Sequence, residues 1–72
     1  MDTNLEQRIE NDFTYHAPKE GQPELYERLR SEAKKLALLI HEEVPAGREK
    51  STALTKLEET IFWANAGIAR EG

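Results

Sequence analysis

Residues 23–43, PELYERLRSEAKKLALLIHEE, and 48–70, REKSTALTKLEETIFWANAGIAR, are separated only by Val44-Pro45-Ala46-Gly47, and this stretch decides the fold. In the first segment Tyr26, Leu29, Ala33, Leu36 and Ile40 recur at 3-4-3-4 spacing, the period of one helix face. Leu25, Ala37 and Leu39 widen that face beyond a narrow seam. Pro23 suits a first helical turn, where a missing N–H costs nothing, and Glu24 and Glu27 fall near the positive end of the helix dipole. Pro45 cannot continue the hydrogen-bond ladder, so the helix stops before it. The second segment repeats the pattern with Leu54, Leu57, Ile61, Ala64 and Ile68, and Phe62 and Trp63 project beside the stripe. A link this short makes the two helices antiparallel neighbours. The expected fold is all-α: one domain over residues 1–72, built on an antiparallel helical hairpin.

Working outward, residues 13–22, FTYHAPKEGQ, read as a loop. Pro18 biases Ala17 away from helix, and Gly21 adds freedom just before the next element. This loop gathers Phe13, Tyr15, His16 and Lys19, and loops held by rigid helices often carry binding groups. Residues 1–12 are expected to be an N-terminal arm or short helix. Thr3 and Glu6 have capping-box spacing, while Leu5, Ile9 and Phe13 recur every four residues.

A chain of 72 residues lies near the lower limit for a self-sufficient core. Only 38% of it is hydrophobic, and many of those residues are alanines. Small domains usually need disulfides, a metal or partner chains. Cysteine is absent, and His16 and His41 alone cannot build a zinc site, so association of copies is the expected remedy. Two wide apolar faces on one hairpin point the same way: Leu39, Phe62 and Trp63 would stay partly exposed on a single chain. Ala64, Ala66, Gly67 and Ala69 would let another backbone approach closely. Gly67 costs about 1 kcal/mol inside a helix, which calls for a packing reason.

No apolar run approaches the roughly 20 residues of a membrane span, and the acidic, polar N-terminus is unlike a secretory signal. A cytoplasmic protein is expected. A net charge of −4 argues against bulk DNA binding yet permits a local cationic pocket for a small anion.

Catalytic signatures are missing. His41-Glu42-Glu43 has the start of a zinc-protease motif but no second histidine at the required spacing. There is no glycine-rich phosphate loop and no serine in a nucleophile-elbow context. Glu42-Glu43 and Glu58-Glu59 diverge around the helix and make no facing carboxylate dyad. Neither an enzyme nor a metal or other cofactor is expected. What remains suits a flat, anionic ligand. Arg30 and Lys34, four residues apart, share a helix face that can present two cations to a phosphodiester. Tyr15 and His16 can stack on a purine. Arg70, near the end of the last helix, would be repeated by symmetry in an oligomer. Each has a plainer explanation: Arg30 and Lys34 can pair with Glu27, Glu24 or Glu32 on a solvated face, Arg70 suits a helix C-terminus, and Tyr26 and Trp63 are better read as packing residues. Periodicity and composition do not choose between these readings.

Three segments taken together carry a resemblance: FTYHAPKEGQPELYERLR at 13–30, KKLALLIHEEVPAGREKS at 34–51 and ALTKLEETIFWANAGIAR at 53–70. They resemble the phage anti-CBASS sponge proteins, whose hairpin domain is shared with the phage anti-Thoeris sponges. The resemblance implies a compact homohexamer in the host cytoplasm that binds cyclic dinucleotides and cyclic trinucleotides without cleaving them, and so starves CBASS effectors of their signal. It also implies two pockets. Tyr15 matches the loop tyrosine that stacks on a base; His16, Pro18 and Lys19 continue the matching loop, and Arg30, or alternatively Lys34, takes the phosphate-contacting position of the dinucleotide pocket. Arg70 closes the W-A-N-A-x-I-A-R segment and matches the trinucleotide pocket. Arginine at 30, where lysine is expected in some members, keeps the charge but changes the hydrogen-bond geometry. The alternatives are capture of a cyclic ADP-ribose-type signal and a helical protein-interaction module using the Trp63 face.

Overall fold

The computed structural model describes residues 3–72, with Thr3 through its backbone only, so the expected Thr3 cap lies outside the described side chains. Three helices follow one another: α1 (Thr3–Asp12), α2 (Gln22–Glu43) and α3 (Arg48–Glu71). α2 and α3 form the antiparallel hairpin, and α1 is the short N-terminal helix.

Local chemistry fixes the ends. Gly21 precedes α2 at φ +84°, a left-handed conformation that L side chains rarely adopt, and its carbonyl accepts from Leu25 N at 3.3 Å. Pro23 falls in the first turn, as the sequence suggests. At the other end Val44 is extended, with its N–H still bonded to Ile40 O at 3.0 Å, and Pro45 follows. Lys50 Nζ then donates to His41 O at 2.6 Å, so a lysine of α3 satisfies a carbonyl left open at the end of α2.

The half-buried apolar positions of α2 are Tyr26, Leu29, Ala33, Ala37 and Ile40, with Leu54, Leu57, Ile61, Ala64 and Ile68 half-buried on α3. One residue departs from the expected stripe: Leu36 is exposed and Ala37 takes the seam. A period of 3.6 residues carries the face from 33 to between 36 and 37, and the smaller Ala37 there presents less bulk to α3.

Among the described residues none is buried. The Cα radius of gyration is 16.0 Å, against about 11 Å for a compact chain of this length. The molecule is a slab of 49 × 32 × 13 Å. Its accessible surface, 6146 Å², exceeds the roughly 4,600 Å² expected of a compact monomer of 8.3 kDa. Phe62 is 66% and Trp63 71% exposed, with Leu39 beside them in exposure, as the two-faced hairpin requires. Gly67 meets nothing within 4 Å where a Cβ would stand, so no packing reason for it lies within the chain.

Candidate functional site

The loop between α1 and α2 is tied down at both ends. His16 Nε2 donates to Asn11 O at 2.7 Å; a carbonyl only accepts, so this contact requires the Nε2–H tautomer. Gln22 does more. Its Oε1 accepts from Lys19 N at 2.8 Å and its Nε2 donates to Ile68 O at 3.1 Å, joining the loop to the last turn of α3. Lys19 Nζ donates to the Gly72 oxygen, reinforcing the same junction. The Gln22 bridge gives no signal in the sequence, because its partners are backbone groups and one of them lies 46 residues away. Between these anchors Tyr15 stands 83% exposed, and Pro18 is exposed as well.

Arg30 and Lys34 stand on the rim of an open groove of about 540 Å³ between α2 and α3, floored by Ala33, Ala37, Leu54 and Leu57. Phe62 and Glu58 of α3 also line it. Arg30 Nη1 also lies 2.8 Å from Glu27 Oε2, the plainer pairing that helical spacing allows. Both side chains of that pair are about 70% exposed, so water screens it and it contributes little. Lys34 has no ion pair among the described residues.

Arg70 sits elsewhere. Its Nε lies 3.5 Å from Asp12 Oδ1, which holds the end of α3 against the end of α1. Both line a second groove of about 740 Å³, walled by Phe13 and Trp63. The expected site residues therefore fall into separate places on one chain: Tyr15 on the loop, His16 in the α1–loop junction, Arg30 and Lys34 on the hairpin groove, Arg70 at the α1–α3 contact. Tyr15 lines neither of these two grooves. Asp12 was not singled out by the sequence, although its i, i+4 relation to Arg8 was visible there.

A family model described as the Acb2/Tad1 hairpin domain matches residues 5–69, nearly the whole chain. The chain belongs to this family. Acb2/Tad1 hairpin proteins are the anti-CBASS and anti-Thoeris sponges, nucleotide-binding proteins that sequester a signal and do not transform it. No curated protein and no solved structure gave a match. Among the described residues no helix is long and apolar enough to cross a membrane, and no cluster of metal-ligating side chains is present.

Proposed function

We propose that this Acb2/Tad1 hairpin protein is an anti-CBASS sponge: a homo-oligomer, hexameric by its resemblance, that captures cyclic dinucleotides and cyclic trinucleotides intact in the infected host cytoplasm. The observation that carries this reading is the separation of the ligand-suited side chains along a chain in which none of the described residues is buried. Arg30 lines the hairpin groove, whereas Tyr15 is exposed on the loop and lines none of the grooves described above, which favours a pocket that draws the two from different copies. Packing of copies over the hairpin faces supplies the missing burial and builds the pockets in one step. A pocket between chains encloses most of a ligand and slows its release, as a competitor of effector proteins requires.

In the dinucleotide pocket Tyr15 stacks on a base and Arg30 contacts a phosphate, with Lys34 as the neighbouring cation; His16, Pro18 and Lys19 shape the loop. Arg70 contacts phosphate in the trinucleotide pocket. The loop chemistry also suits a cyclic ADP-ribose-type signal, which has the same combination of purine and phosphates. Titration calorimetry decides between the two. Binding of cyclic GMP-AMP with micromolar or tighter affinity is the expected result, and heat from a cyclic ADP-ribose isomer alone would move the protein to the anti-Thoeris branch.

A further inference from the structure

Asp12 serves two arginines at once. Its Oδ1 lies 3.5 Å from Arg70 Nε on α3, and its Oδ2 lies 3.8 Å from Arg8 Nε on α1. Each guanidinium is engaged through Nε, and neither terminal pair of nitrogens has an ion-pair partner among the described residues. A guanidinium carries five donors, so both arginines keep the forked edge that matches a phosphate. All three groups line the 740 Å³ groove between α1 and α3, whose walls include the exposed rings of Phe13 and Trp63. Glu71 also lines the groove; it and Arg8 are both exposed, so a phosphate there would be held by the directed N–H donors of the two guanidinium groups and not by net charge. The volume falls within the range of small-molecule sites.

We infer that Arg8 is a second phosphate contact beside Arg70, with Asp12 holding the two guanidinium groups together across the α1–α3 groove. This gives α1 a place in ligand binding. The inference rests on the reading of Arg70 as a trinucleotide contact, and adds the residue that discriminates the larger ligand from the smaller. A cyclic trinucleotide brings a third phosphate, and the hairpin groove on which Arg30 stands has no lining residue from α1.

Calorimetry on the full chain with cyclic tri-AMP and cyclic GMP-AMP as probes tests this, using Arg8→Gln, Arg8→Lys and Arg70→Gln. A charge-assisted hydrogen bond is worth about tenfold or more in affinity. Arg8→Gln and Arg70→Gln are each expected to weaken cyclic tri-AMP at least tenfold, with cyclic GMP-AMP binding unchanged within about twofold. Arg8→Lys keeps the charge but not the fork and is expected to recover only part of the loss. If Arg70→Gln weakens cyclic tri-AMP and Arg8→Gln does not, Arg8 is no contact and the inference falls while the Arg70 reading stands. If neither variant weakens it, both fall. A loss of both ligands in Arg8→Gln, accompanied by lower helicity or assembly mass, would also overturn the inference, because Arg8 would then serve only to dock α1.

Discussion

Replacing Tyr15 and Arg30 together by alanine is expected to weaken cyclic dinucleotide binding by at least 100-fold while leaving the mass of the assembly unchanged. The magnitude follows from two lost contacts. Base stacking on an aromatic ring is worth about 1–3 kcal/mol, and a hydrogen bond to a charged group about 1.5–3 kcal/mol. Their sum spans roughly two to four decades in affinity. Neither side chain supports the fold: Tyr15 projects from the loop, and the ion pair of Arg30 with Glu27 is open to water. Isothermal titration with light scattering on the same samples separates the two effects. Full affinity in the double variant would show that these residues lie outside the pocket, and would favour a protein-interaction role for the hairpin.

The second large effect concerns assembly. Phe62→Glu places a charge on the wall of the apolar hairpin groove. On a chain that functions alone this change is nearly neutral, within about 0.5 kcal/mol, because Phe62 is mostly exposed and glutamate is a good helix former. If another copy covers the groove, the same change replaces a packed ring by a desolvated charge and weakens every contact, a cost that Arg30 and Lys34 on the same groove offset only in part. The expected outcome is a fall in mass to the single chain, together with a loss of helical circular dichroism signal. The second loss follows because the single chain has no buried residue among those described to hold the helices together. Retention of both mass and helicity would show that the groove is a free surface.

Much of the fold was legible because it depends on strong, local signals. The 3-4-3-4 stripes at 26–40 and 54–68, with Pro45 between them, leave little choice but an antiparallel hairpin. The displacement of Leu36 by Ala37 in the seam was less legible, since a 3.6-residue period passes between the two and packing selects the smaller. The chemistry of the site was readable as a set of groups but not as a place. Arg30 and Lys34 share a rim because helical spacing demands it. The pairing of Arg70 with Asp12 joins elements 58 residues apart, and no periodicity announces it. Gln22 is hidden for a related reason, because it bonds backbone atoms, which look alike at every position. Local rules reach one helix; the pocket depends on contacts between helices and, by our reading, between chains.

Capture without turnover by an assembly is the central claim, and native mass spectrometry of the full chain with a mixture of cyclic dinucleotides and cyclic tri-AMP tests it most directly. It reports subunit number, bound ligand and ligand integrity in one spectrum. The account predicts a multiple of the 8.3 kDa chain, hexameric in mass, carrying both ligand sizes and releasing each with its mass unaltered on denaturation. A monomer binding neither ligand, or an assembly releasing linearised nucleotide, would contradict it.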